Sequence, residues 1–576
     1  MYATAADALE FELGAPGNEH TSFRPAYLAE LDQREEFPSA ACKFLDDFGL
    51  NRYYVPPEWG GRLRDYTELA QLLRTVARRD LTVAVAHGKT FLGAASVWVA
   101  GNPEQAERLG RLIADGAVVS WGLTERGHGS DLLAGQLTAT PVTGHWRLDG
   151  EKWLINNATR GRAVCVLART DPAGGPRGFG LFLVDKRHLA DGSWTSLPKV
   201  PTHGIRGADI SGIGFDGALI PDTALVGAPG DGIETVLKAL QLTRTLCVAL
   251  SLGAADTALR IALDYARTRT LYGRRLGELP RIRRILGEMH ATRLVAEATG
   301  IMAVRSTHTL TGEMSVTSAI AKALVPELVQ GVVDRVAELL GLRGYLTEEF
   351  ADGVFAKLDR DHRVVSIFDG NTAVNRNALI DQFPLLAAGY RRGRYDEEGV
   401  HRAAGLGVPP PPFTPDRLAL LSSGGCSLVQ SLPDAVDRIH AQAGEGLLPP
   451  QIAALADSIE RETDTLHGEL AVRQRSARSV PASAFARAER YELCYAAAAC
   501  LRLWLAAPRG AHGTQPTVWQ NGLWLHACLR TIATRLGLPL DPEDGEIYDR
   551  LVEHTPDGGL PTLLSTPHGE PARSTP

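Results

Sequence analysis

The chain has 576 residues, enough for about three or four structural units, because a single hydrophobic core stops growing well before that length. A formal net charge of -7 lacks the basic surplus of a general nucleic-acid binder. With 44% hydrophobic residues and a mean hydropathy of -0.08, the composition is that of a globular protein, and no membrane span is expected.

The N-terminus, with Asp7, Glu10 and Glu12 and no basic region, does not read as a signal peptide, so a cytoplasmic location is expected. The cysteines at 42, 165, 247, 426, 494, 500 and 528 are odd in number, scattered and without C-x-x-C spacing. That pattern fits reduced, buried thiols rather than a disulfide frame, and no metal site is expected.

Between residues 26 and 115 the apolar positions recur at helical spacing, as in Tyr66, Leu69, Ala70, Leu72, Leu73 and Val76, which predicts an N-terminal helical domain over 1–117. Asn102 followed by Pro103 reads as a helix start, capped and with proline in the first turn. At Val118 the pattern changes to short β-rich runs, 163–168, 178–184 and 210–215, separated by turns, which predicts a middle antiparallel β domain over 118–228. Within it Trp121 to Thr124 reads as a short strand leading into a loop that Gly127 and Gly129 leave free to approach a flat or anionic ligand.

Helical spacing resumes with long stretches at 233–267 and 279–306, giving a C-terminal helical bundle over 229–388. A basic and proline-rich linker, 389–415, follows; its run from Pro409 to Pro412 cannot continue a helix. Beyond it an additional helical domain is expected over 416–554, with helices near 451–475, 483–506 and 518–536, then a disordered tail over 555–576. The fold class is therefore α+β, mostly α. No G-x-G-x-x-G follows a strand and opens a helix, so a Rossmann dinucleotide site has no support.

Five motifs stand in a fixed order: Leu123-Thr124-Glu125 with Gly129-Ser130-Asp131; Gly150 to Asn157; Arg269 to Gly273; Gly341 to Tyr345; and Asp369 to Arg376. Singly each is weak. As an ordered set over about residues 25–385 they resemble the acyl-CoA dehydrogenase family. The resemblance implies the same helix-β-helix core, with FAD as cofactor. It also implies loss of an α-proton from an acyl thioester to a carboxylate and of a β-hydride to flavin N5.

By motif matching the base falls on Asp369, where most family members carry Glu; taken alone, Asp-Gly-Asn is a plain turn. Asp is shorter by one methylene, roughly 1.5 Å of reach. Nitroalkane oxidases, a branch of the same superfamily, use Asp here, so a flavin-dependent oxidase or monooxygenase is the alternative activity. Arg244 matches an arginine near the family's active site and is expected to serve catalysis or substrate binding, although its usual Asp partner is replaced by Gln241.

For the cofactor, the resemblance implies contacts from Trp121, Leu123, Thr124, Gly129 and Ser130, with Ser130 also near the pantetheine arm of the substrate and Gly370 on the substrate side. In the second motif the family's Trp and Thr fall on Leu154 and Asn156, and Trp153 is displaced by one position. A one-residue displacement on a strand points to the opposite face, so Trp153 is expected in the core, with Leu154, Ile155 and Asn156 against the ring. Arg269 and Tyr272 match residues that reach the FAD of a neighbouring subunit, and Gly341 and Asn371 complete the set. The family's adenine-side glutamines are replaced by Pro280 and Glu338. The expected partners are an acyl-CoA or acyl carrier protein-bound substrate, an electron-transferring flavoprotein or oxygen as oxidant, and a second copy of the chain in a homodimer.

Overall fold

A computed structural model describes residues 4–14, 22–471, 480–507, 517–555 and 560–564. The chain forms two compact units, one of residues 1–253, 345–374 and 412–420, the other of 254–344, 375–411 and 421–576.

The first unit begins with six helices, α1 (Ala5–Leu13), α2 (Pro25–Gln33), α3 (Ser39–Phe48), α4 (Tyr66–Arg79), α5 (Leu81–Ala100) and α6 (Pro103–Ala114). Asn102 does cap α6: its side chain accepts from Gln105 N while the Gln105 side chain answers to Asn102 N, with Pro103 in the first turn. Asp80 caps α5 through Val83 N at 2.8 Å. Almost every residue of α5 is buried, as an all-round apolar helix requires. Helix α5 lies close enough to the following strand that a Cβ on Gly93 would stand 2.7 Å from Ser120 O, so only glycine permits this approach.

The sheet contains β1 (Val119–Gly122), β2 (Thr138–Val142), β3 (His145–Asn156), β4 (Ala163–Arg169), β5 (Phe179–Asp185), β6 (Trp194–Leu197), β7 (Ile210–Pro221) and β8 (Leu225–Val226). Its order is β6-β7-β3-β2-β4-β5-β8, with β1 beside β4. The expectation of an antiparallel domain needs one correction: β1 runs parallel to β4, and Thr138 of β2 also pairs in parallel with Arg169. The β2–β3 hairpin lies between β1 and β4 in the chain and supplies the crossover that parallel pairing needs. Leu148, Val164, Val166, Phe182, Ile213 and Ile220 fill the core on one face.

Helix α7 (Gly232–Thr268) starts in the first unit and ends in the second. The first unit is completed by α10 (Val354–His362), numbered after α8 and α9 below. Among the described residues three helical stretches, Leu81–Ala100, Gly232–Thr268 and Thr311–Tyr345, are long and apolar enough to cross a membrane, contrary to the expectation from sequence. Most of each is buried within the protein, so core packing accounts for the composition.

The second unit carries the hairpin β9 (Thr270–Leu271) and β10 (Arg274–Arg275), then α8 (Pro280–Thr309), α9 (Met314–Leu340), α11 (Thr372–Ile380), α12 (Phe383–Arg392) and α13 (Glu397–Ala404). The appended helices are α14 (Ser427–Gln430), α15 (Leu432–Gly444), α16 (Pro450–Leu470), α17 (Ala482–Ala506), α18 (Leu523–Arg535) and α19 (Ile547–Glu553). The end of the helix expected near 451–475 lies outside the described residues. Helices α17, α18 and α19 all pack on α8, so the appended region shares a core with the bundle.

Within that core Arg293 donates to Asp256 at 2.9 Å and Glu297 at 3.2 Å, and to Pro561 O at 2.7 Å. Glu297 in turn accepts from Leu563 N, and Leu563 is buried. Residues 560–564 are thus pinned where a disordered tail was expected, because a buried ion pair recruits their backbone; 556–559 and 565–576 lie outside the described residues. All seven cysteines are free and buried.

Glu313 accepts from Ser427 N at 2.8 Å and Ser427 Oγ at 2.5 Å. Burial nonetheless pushes its carboxyl up to about 7 from the ordinary 4.5, and the Ser427 donors oppose the shift without cancelling it. Between those values the folded protein holds a proton that the unfolded chain has released, so this group's stabilising contribution is complete below about 4.5 and declines as the pH rises toward 7. The melting temperature of the wild type relative to Glu313→Gln should therefore fall between about pH 5 and pH 8. A difference that stays constant over that range would show that Glu313 titrates alike in both states.

Candidate active site

The residues that converge lie in the first unit, and α5 is the element that gathers them. Asn157, the residue just after β3, donates through Nδ2 to Ala86 O at 2.8 Å. Gly93 meets the backbone of Ser120 beside Trp121. Between these points Lys89 reaches the carboxylate of Asp369, with Nζ 3.3 Å from Oδ1 and 3.2 Å from Oδ2.

Asp369 and Gly370 have φ of +56° and +90°, two successive left-handed residues that turn the carboxyl inward. Asp tolerates this region better than a longer side chain does. Its side chain is 10% exposed and that of Lys89 is 11% exposed. Arg244, on α7, donates from Nε to the backbone oxygen of Asp369 at 2.9 Å, and Cys247 Sγ lies 3.6 Å from Oδ2. Burial presses the Arg244 guanidinium below its ordinary range, with the charge of Asp369 acting against that shift. Gln241, which stands where an Asp partner for Arg244 was expected, donates instead to Ala419 O at 2.8 Å. Asn371 caps α11 by accepting from Val374 N at 2.9 Å.

Lys89 was missed in the sequence. Its signal was a single lysine in twenty otherwise uncharged residues, Leu81–Ala100; a lysine buried in such a helix requires an acidic partner.

The two motifs around 123–131 and 150–157 are joined by a buried ion pair, Lys152 Nζ to Glu125 Oε1 at 2.7 Å, with Lys152 also donating to Leu123 O. Glu125 accepts from Gln136 N and Leu137 N as well. Burial opposes its ionised form, but Lys152 and these donors outweigh it and hold the carboxyl below its usual range; burial likewise presses Lys152 below the ordinary lysine range. Trp153 N donates to Thr124 O at 2.9 Å, which brings the end of β3 alongside the residues after β1.

Trp153 is half-buried, with the Arg126 guanidinium 4.5 Å from its ring centroid, and is not in the core. The reason is a bulge: the pairing with β7 shifts between Trp153 and Ile155, and Leu154 takes a φ of +56°. The extra residue resets the alternation, leaving Leu154 exposed and Ile155 buried. Beyond it both side-chain polar atoms of Asn156 are buried without a partner, as is Trp121 Nε1. Gly129 and Ser130 are exposed, and a Cβ on Gly127 or Gly129 would meet nothing within 4 Å, so the loop leaves open space.

Arg269, Tyr272 and Gly341 belong to the second unit and are exposed there; Tyr272, at 89% exposure and φ +52°, projects from the β9–β10 hairpin.

The family profiles described as "Acyl-CoA dehydrogenase, N-terminal domain", "middle domain" and "C-terminal domain" match residues 22–117, 120–218 and 230–383. A probable acyl-CoA dehydrogenase of Mycobacterium leprae is 30% identical over 355 residues, 61% of this chain and 88% of its own length. Among solved structures, an acyl-CoA dehydrogenase of Bacillus anthracis complexed with FAD covers 95% of this chain and 94% of its own, with a TM-score of 0.67 and 20% identity. The prolyl acyl carrier protein oxidase AnaB covers 62% of this chain and 93% of its own, with a TM-score of 0.58 and 20% identity.

Proposed function

The chain belongs to the acyl-CoA dehydrogenase family, and on that premise we propose that it introduces an α,β double bond into an acyl thioester with Asp369 as the base. It is an oxidoreductase of the acyl-CoA dehydrogenase type, and the family's cofactor is FAD. The observation that carries the mechanism is the inward Asp369 carboxylate, nine-tenths buried and fixed by the same helix that meets β1 and the residue just after β3.

The residues present fit FAD. A flavin presents a flat ring with donors and acceptors along one edge, and the partnerless polar atoms of Trp121 and Asn156 are groups such an edge would satisfy. When bound, FAD supplies the acceptor for the β-hydrogen and its electron pair. In this reading Trp121, Leu123, Thr124, Leu154, Ile155, Asn156 and Asn371 hold the ring, while Gly129 and Ser130 face phosphate and pantetheine. Arg269, Tyr272 and Gly341 would serve the cofactor of a second copy, in keeping with their exposure. Asp369 takes the α-proton; Arg244 and Gly370 line the substrate side, and Arg244 fixes the backbone of the base. The reading extends to a homodimer in the cytoplasm, whose buried free thiols suit a reducing compartment.

Asp in place of Glu supports the second reading, an oxidase or monooxygenase acting on a small acidic carbon compound such as a nitroalkane. Anaerobic flavin bleaching against acyl-CoAs, acyl carrier protein thioesters and nitroalkanes separates the two. Bleaching by a thioester is the expected result, and bleaching by nitroalkanes alone would replace the first reading with the second. Reoxidation with oxygen or with an electron-transferring flavoprotein then identifies the acceptor.

A further inference from the structure

Two other buried carboxylates in this chain are well supplied with donors. Asp361 accepts from Ile205 N, Thr82 Oγ1 and Lys357, and Glu125 accepts from two backbone N–H groups and Lys152. Asp369 differs. Among the described residues no backbone N–H donates to its carboxylate, and its contacts there are Lys89 and the long, weak approach of Cys247 Sγ at 3.6 Å. Its oxygens therefore keep lone pairs open for a proton, and one ammonium sets their orientation. That ammonium is itself fixed, lying 3.7 Å from the centroid of the Phe368 ring.

The charges facing the carboxyl are Lys89 from α5 and Arg244 from α7. Against the single negative charge of Asp369 they leave a surplus of one positive charge in a largely buried site. If Asp369 accepts a proton, both cations lose their counter-charge unless a new negative charge forms beside them. Breaking an α C–H bond supplies it: the proton passes to an Asp369 oxygen and the electron pair stays on the substrate as an enolate.

We propose that Lys89 is a positioning residue for proton abstraction: it holds the short Asp369 side chain turned toward the substrate and remains as the positive charge facing the enolate once the proton has moved. This rests on the reading of Asp369 as base. A fixed charge that needs no reorganisation during the step is the most effective kind of electrostatic assistance.

The test separates proton transfer from oxidation. Acetyl-CoA has α-hydrogens but no β-carbon to give up a hydride, so holoenzyme in D2O can exchange its methyl hydrogens without reducing flavin; NMR reads the loss of the methyl proton signal. Acetyl-pantetheine serves as the same probe without the nucleotide handle. Lys89→Met should slow exchange by about 100-fold, a loss on the scale of removing one preorganised charge-stabilising group. FAD content and acetyl-CoA affinity should be retained, and Lys89→Arg should recover to within about tenfold, since a guanidinium can replace the ammonium against a carboxylate. Should Lys89→Met fail to hold FAD, Lys89→Gln takes its place, an uncharged donor expected to show the same loss. Exchange at the wild-type rate in either flavin-replete variant overturns the role of Lys89 while leaving the base intact. Absence of exchange by the wild type on both probes overturns the reading of Asp369 and this proposal with it.

Discussion

Asp369→Asn will reduce the rate of anaerobic flavin bleaching by about 10³-fold or more, the loss expected when a positioned general base is removed. The substitution keeps the size of the side chain and the left-handed backbone at φ +56°, which Asn adopts as readily as Asp. An amide oxygen can still accept from Lys89, but it cannot take up the α-proton at neutral pH. FAD should remain bound. Some stability should be lost, about 1–3 kcal/mol, because Lys89 is left without its counter-charge. The double variant Lys89→Met/Asp369→Asn should regain that stability without regaining activity, which separates the two roles of the pair. A bleaching rate unchanged in Asp369→Asn would remove the residue from the chemistry.

Lys152→Met will be the most destabilising single substitution near the site, by about 3–5 kcal/mol, because it strands a buried carboxylate. Glu125 is fixed in place by Gln136 N and Leu137 N and cannot turn to solvent without breaking both bonds. Lys152 also holds Leu123 O, so its loss frees both motifs at once, and FAD content should fall together with the melting temperature. Replacing Glu125 with Gln in the same chain should restore part of the stability, since no charge then remains buried. A melting curve and flavin content indistinguishable from wild type would mean that the ion pair holds nothing together.

The succession of helices, sheet and helices was legible because hydrophobic spacing changes at Val118 and changes back near Gly232, and the cap at Asn102 because its mechanism lies within four residues. The position of Asp369 could be taken from motif order, but not its partner. Lys89 lies 280 residues away, and nothing local to either residue announces the other. The placement of Trp153 failed for a different reason: alternation assumes an unbroken strand, while the bulge at Leu154 depends on a backbone angle that composition does not encode. The segment 560–564 was hidden by the Pro, Thr and Gly of the tail around it, since its order comes from contacts with Arg293 and Glu297, 265 or more residues away.

Gly93 lets α5 seat on the strand without an intervening side chain, and Lys89 stands four residues earlier on the same rod. At 1.5 Å of rise per residue, about 6 Å of helix separates the two anchorages. On the proposed reading, a rigid ruler then spaces the base from the strand that would lie along the flavin. Surface loops can be remodelled to admit new substrates without disturbing that spacing, whereas a bulkier residue at position 93 would shift both anchorages together.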